Sequence, residues 1–252
     1  YKRQYCRQLL LIDIIVKCEA LDKKMTTLKQ STLSERVFHN LKEEIVSGNI
    51  PQGQKISEVN LATRFNISRG PLREALRQLE SINLIERTPH SGSKVISLTY
   101  RKILELYQIR EAMEGYATRL ASSEMTQSEI DGLYRLLDQH NEQVQSSGEH
   151  VYIQQEGNLD FHYYIYSKCN NQWLFDYLDN KLYQLLRMCR QHTAKISSRA
   201  DLGLIEHTAI VNAISNRDGE LSELLMRRHI NGAWKTIKDI VIEEDLKKDK
   251  SI

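Results

Sequence analysis

Over most of this chain apolar residues recur every three or four positions, the period of a helix with one buried face. From Ser34 to Ser47 the inward set is Val37, Leu41 and Ile45 with Phe38 beside them; Gly48 ends the helix and Pro51 confirms the stop. Ser57 caps a short helix that buries Leu61, Ala62 and Phe65, and Asn66 suits the turn after it because asparagine tolerates left-handed backbone. Ser68 is a second N-cap candidate, and Pro71 falls in the first helical turn, where a missing N–H costs nothing. Leu72, Ala75, Leu76 and Leu79 form the apolar face of that helix. Two short strands follow, Leu84 to Thr88 and Ser93 to Ile96, around Pro89-His90-Ser91-Gly92, whose residues suit a hairpin turn.

Beyond Ser97 the pattern is helical throughout. Thr99 opens a long helix through Leu104, Tyr107, Met113, Tyr116 and Leu120, and Thr126 with Glu129 forms a capping box ahead of Ile130, Leu133, Leu137 and Val144. Ser146-Ser147-Gly148 breaks that helix, Val151 to Lys168 resumes, and Asn170-Asn171 stops it again. A striped helix from Leu174 to Ile196, another from Asp201 to Ile214, and a last one from Asp218-Gly219 to about Ile242 complete the set. Six helices with short links and no strand signal predict an antiparallel bundle. The expected division is a tail over 1–30, a first domain over 31–98, a helical domain over 99–243 and a charged tail over 244–252.

The first domain carries its chemistry in order: capped helix, tight turn, second helix, hairpin. Arg69, Arg73 and Arg77 stand at i, i+4 and i+8 on one face of the second helix. That is the layout of a winged helix-turn-helix, whose second helix enters the major groove of DNA with its N-terminal residues against base edges. Arginine suits the place, because its planar fork grips guanine or phosphate with two bonds. Ser68 and Arg64 flank the reading helix, and His90 and Lys94 stand at the tip or edge of the wing; all four join the arginines as candidate DNA contacts. The expected fold class is mostly α, a winged helix-turn-helix domain followed by an all-α antiparallel bundle.

Charge modifies this picture only slightly. The 252 residues carry a net charge of +2, so DNA affinity must come from placement and from two copies acting together. Four cysteines without CxxC spacing fit a reducing compartment, here the cytoplasm, rather than a zinc ribbon or disulfide framework. No apolar run is long enough to span a bilayer. Tyr1 to Lys24 holds an apolar run interrupted by Asp13 and lacks a small-x-small cleavage site; it reads as sequence upstream of a start at Met25 and receives no function.

In the helical domain His162, His207 and His229 fall on three different helices, and Asn158 lies one turn before His162. A bundle can gather such side chains around one ion, and three imidazoles plus one oxygen suit zinc, nickel or another divalent transition metal.

Arg36 to about Thr236 resembles the GntR family of bacterial transcription regulators, in its FadR-type branch. The first domain carries the likeness in Ile45 to Gly53, Leu61-Ala62, Ser68-Arg69-Gly70-Pro71-Leu72-Arg73-Glu74-Ala75-Leu76, and Leu79-Glu80 ahead of Leu84-Ile85. In the second domain it rests on Arg110-x-x-Met113-Glu114, Asn158-x-x-Phe161-His162, Asn171, Glu206-His207-x-Ala209-Ile210 and Arg228-His229, which resemble the ligand-binding FCD domain. The resemblance implies operator contacts at Arg69, Arg73 and Arg77, and a wing that approaches the minor groove at Gly92. It implies a metal held by Asn158, His162, His207 and His229. Asn158 stands where metal-binding members usually carry aspartate, which removes one negative charge, and Val59 replaces a residue commonly basic or polar. Arg110 either holds an effector carboxylate or forms a structural pair with Glu114 at i+4.

The function expected is that of a homodimeric regulator reading a palindromic site on double-stranded DNA and responding to a small carboxylate effector, with no membrane attachment. Two alternatives stand beside it. A metal-dependent hydrolase would need a general base near the three histidines, and no HExxH or nucleophile elbow is present. A purely structural interaction module would not bind DNA.

Overall fold

The computed structural model describes residues 32–88, 92–146, 160–193 and 197–249. The segment around Met25, His90 in the hairpin turn and Asn158 lie outside the described residues. Helix α1 (Leu33–Val46) starts from a reciprocal cap: the Glu35 N–H donates to the Thr32 hydroxyl at 3.2 Å, and the Thr32 N–H donates to the Glu35 carboxylate at 2.7 Å. It buries Val37, Leu41 and Ile45, and Gly48 leaves it at φ 77°, a left-handed conformation that costs glycine nothing. Helix α2 (Glu58–Phe65) is capped by Ser57 and ended by Asn66 at φ 50°. Helix α3 (Arg69–Ser81) seats Leu72, Ala75, Leu76 and Leu79 against α1.

Strands β1 (Lys55–Ile56), β2 (Ile85–Thr88) and β3 (Gly92–Val95) form an antiparallel sheet in the order β1-β3-β2, with Ile85 opposite Val95 and Thr88 opposite Gly92. The hairpin is the expected one. Strand β1 was not expected, because two residues are too few to display a period of two.

The second half holds α4 (Tyr100–Glu124), α5 (Gln127–Ser146), the short α6 (Phe161–Tyr166) and α7 (Gln172–Tyr177). A π-helical segment (Leu178–Tyr183) leads directly into α8 (Gln184–Thr193), followed by α9 (Ser197–Ser215) and α10 (Gly219–Asp249). Helices α4 and α10 run antiparallel. Trp234 packs on Tyr100 and Tyr107 at one end, and Gly219 meets Ser122 and Arg119 at the other. Between them a Cβ on Gly115 would come within 2.6 Å of Arg227 Cγ, so the bare backbone lets the two axes close up.

Two sequence expectations shift in detail. Helix α4 turns inward with Ile103, Leu106, Tyr107, Arg110, Glu114 and Ala117, leaving Tyr116 half exposed, because its buried face includes a charged pair that no apolar periodicity can reveal. The single helix expected over Leu174 to Ile196 is interrupted by the π segment. Among the described residues no helix is long and apolar enough to cross a membrane.

The two halves share one continuous apolar core and several polar ties. Arg187 of α8 grips both Glu43 oxygens of α1 at 3.3 and 3.0 Å, and Lys181 donates to the Ser81 carbonyl at 2.7 Å. Beside them lies a cleft of 310 Å³ lined by Phe38, Lys42, Ile82, Tyr163, Asp179 and Tyr183, among others. Burial pushes the Asp179 carboxyl above its ordinary range; Lys42 opposes the shift and Asp176 adds to it. A carboxyl raised in the fold costs stability once ionised, a cost absent at low pH and fully present at neutrality. Asp179→Asn should therefore raise the thermal midpoint at pH 7, with the gap from wild type closing as pH falls below the carboxylate range. A variant that melts at or below wild type at pH 7 would contradict this reading.

Candidate functional site

The exposed face of α3 is set by how the helix packs. With its leucines turned to α1, the opposite face must present Arg69, Arg73 and Arg77, all exposed. Their surroundings differ. Arg73 Nε donates to Glu58 at 2.9 Å, and Arg77 lies 3.3 Å from Glu74. Arg69, in the first turn, has no ion pair among the described residues. Ser68 occupies the N-cap position in extended backbone, yet its hydroxyl makes no cap bond and stays exposed. Arg64 is tied by both guanidinium nitrogens to Glu44 of α1, and those hydrogen bonds and that charge hold it more firmly protonated than usual. This pair braces α2 against α1.

On the wing, Gly92 has φ 83° with open space where a Cβ would stand, so the turn itself calls for glycine there. Lys94 lies 3.4 Å from Glu86, which also takes Lys102 at 2.7 Å. His90 belongs to the turn residues that are not described.

Three helices of the bundle converge on a different chemistry. His162, His207 and His229, from α6, α9 and α10, are all buried, and one ring nitrogen from each lies within 4.8 Å of the others. Nε2 of His207 is 3.2 Å from Nε2 of His229. Phe161 stacks on His207 with ring centroids 3.9 Å apart, which fixes that ring's plane. Asp160 caps α6, its carboxylate accepting the backbone N–H groups of His162 at 2.9 Å and Tyr163 at 3.2 Å, and so orients the turn that carries His162.

Carboxylates stand behind two of the rings. Glu206 Oε2 lies 2.7 Å from His229 Nδ1, and Glu114 Oε2 lies 2.8 Å from His162 Nδ1. The His229 Nδ1–H donates to Glu206, and because the guanidinium of Arg110 can only donate, His162 Nε2 must accept and its proton sits on Nδ1; both rings therefore keep an Nε2 lone pair on the cluster side. Imidazoles with Nδ1–H held by carboxylates and Nε2 turned inward are the donor set of a divalent transition-metal site. The three histidines form a group that could hold such an ion, and the chemistry of the donors fits it. Arg110, only 2% exposed, donates from Nε to Glu114 at 2.7 Å, lies over the Tyr107 ring, and places Nη2 3.1 Å from His162 Nε2. It thus forms the structural pair with Glu114, and it also borders the histidine cluster.

The supporting glutamates had no metal-related role in the sequence reading. Glu114 was visible as part of the FCD-like motif and as the i+4 partner of Arg110. Glu206 stood in the sequence only as part of the FCD-like motif with His207, and its role was hidden because it serves His229 on another helix rather than that neighbour.

Comparison with known proteins agrees with both halves. The model of the family described as bacterial regulatory proteins, gntR family, matches residues 33–95, and that of the FCD domain matches residues 105–232, just over half the chain. The HTH-type transcriptional regulator YdhC of Bacillus subtilis (strain 168) is 28% identical over 206 residues, covering 82% of this chain and 91% of that protein. The HTH-type transcriptional repressor RspR of Escherichia coli is 26% identical over 208 residues, covering 82% and 90%. A solved GntR regulator from a Rhodococcus species shares the fold with a TM-score of 0.64 at 20% identity, covering 84% of this chain and 99% of that one. Nothing in these comparisons supports the hydrolase alternative. The chain belongs to the gntR family of bacterial regulatory proteins with an FCD domain, and it is a DNA-binding transcription regulator rather than an enzyme.

Proposed function

We propose that this regulator reads a palindromic operator as a homodimer, and that a small carboxylate bound in the bundle beside a divalent transition metal controls its grip on DNA. The observation that carries the effector half is the buried trio of imidazoles, two of them backed by carboxylates. His162, His207 and His229 would hold the metal, with Asn158 as a neutral fourth donor by the family motif. When bound, the metal supplies a positive centre that attracts an anion. Arg110 would hold the effector carboxylate from the other side. For the signal to reach the operator, the effector must bind two arrangements of the reading heads with different affinity.

The DNA half rests on the exposed arginines of α3, with Ser68 at its N-terminus and Gly92 and Lys94 on the wing. Arg64 would need to release Glu44 before it could take a phosphate, so its contribution is expected to be smaller. Self-association is supported by exposed apolar side chains on the adjacent helices α4 and α10: Ile109, Tyr116, Leu221 and Leu224. A symmetric pair built on that face would cover them.

Three measurements test the proposal. Duplexes selected from a random pool supply an operator; against it, Arg69→Ala and Arg73→Ala should each weaken specific binding by roughly 1–3 kcal/mol, and full affinity in both would remove α3 from the interface. Sedimentation equilibrium of wild type should give a dimer that Leu224→Glu converts to monomer; a wild-type monomer at micromolar concentration would rule out the dimer. Zinc or nickel at a hundredfold excess over its dissociation constant should stabilise wild type by about 2.7 kcal/mol, reversibly with chelator, and should not stabilise His207→Ala. Equal stabilisation of both proteins would place the ion elsewhere.

A further inference from the structure

Arg110 and the metal ion lay claim to the same lone pair. Arg110 Nη2 stands 3.1 Å from His162 Nε2, and since a guanidinium only donates, that nitrogen accepts with its lone pair while Nδ1, 2.8 Å from Glu114 Oε2, carries the proton. A metal ion bound at Nε2 must take the position now held by the guanidinium, because one lone pair serves one cation and two adjacent cations repel in a buried site. Resting on the metal-site reading above, we propose that Arg110 is a counter-cation that occupies the histidine cluster, and that metal entry displaces its Nη2 end and thereby creates the binding site for the effector's carboxylate.

The surroundings of Arg110 make the displacement local. Its Nε bond to Glu114, 2.7 Å, and its place over Tyr107 do not involve His162, so the stem stays anchored while the fork turns. The side chain is 2% exposed, so donors released from His162 cannot turn to bulk water. A buried guanidinium edge without an acceptor is costly, and a carboxylate offers two oxygens in matching geometry. Metal and carboxylate therefore favour one another: the ion exposes the donors that the anion satisfies, and by linkage the anion strengthens the ion's hold to the same degree. In the absence of carboxylate, Arg110 opposes the metal. It is thus a specificity-determining residue that makes the site respond to the two ligands together.

The test is metal affinity, measured on the full chain by competition with a fluorescent zinc chelator, for wild type, Arg110→Lys and Arg110→Gln. Lysine keeps the positive charge beside Glu114 but replaces the fork with a single nitrogen, so any gain in affinity reports lost reach to His162 rather than lost charge. Both variants should bind zinc about tenfold or more tightly than wild type without carboxylate. Millimolar acetate, lactate or succinate should raise the zinc affinity of wild type and leave both variants unmoved. Circular dichroism checks folding, and if the glutamine variant does not fold, the lysine variant and the wild-type carboxylate response decide. Variants that bind zinc equally or more weakly, or a wild type indifferent to all three acids, would overturn the role of Arg110 while leaving the metal site standing. A wild type that takes up no zinc under any condition would instead bring down the metal-site reading, and this proposal with it.

Discussion

The bundle depends on keeping a set of charged and polar side chains satisfied where water does not reach. Arg110, Glu114, His162, His207 and His229 are each under a tenth exposed, and four different helical segments bring them together. An isolated buried charge of this kind would cost several kcal/mol, so Arg110 and Glu114 are kept in mutual contact. The cost is met by mutual contact: guanidinium on carboxylate, carboxylate on imidazole, imidazole on imidazole. Such a cluster adds little net stability compared with an apolar core. What it offers instead is a fixed set of polar partners that an apolar core cannot provide.

At the other end of the molecule the same physics has a different outcome. The acidic residues of the first domain do not merely dilute its positive charge; they hold particular cations in place. Glu44 fixes Arg64, Glu58 takes Arg73, and Glu86 gathers Lys94 and Lys102. A protein with a net charge of +2 can still present a basic helix face, provided the surplus is concentrated there, as the arginines of α3 are. Exposed pairs of this kind are weak individually and can exchange a carboxylate for a phosphate at small cost.

What could be read directly from the residues follows from how local each signal is. Caps, turns and helix faces are written within four or five positions, so Thr126 with Glu129, Ser57, Asn66 and the leucine face of α3 were all recognisable. The three histidines were recognisable as a set because each sits on its own helix. Their carboxylate partners were not, since Glu206 reaches across from α9 to α10 and Glu114 serves a residue 48 positions later. Strand β1 and the π segment were invisible for another reason: both are defined by hydrogen-bond partners rather than by side-chain period.

The π segment has a consequence for how the two halves are joined. Its wider turn accommodates one residue more than an α-helical turn would, so every side chain beyond Tyr183 is rotated about 100° from where an unbroken helix from Gln172 would put it. Arg187 reaches Glu43 from the helix whose phase this segment sets. Straightening the segment would keep the rod intact yet turn that guanidinium about the helix axis, so winding as well as length bears on how the two halves are tied together.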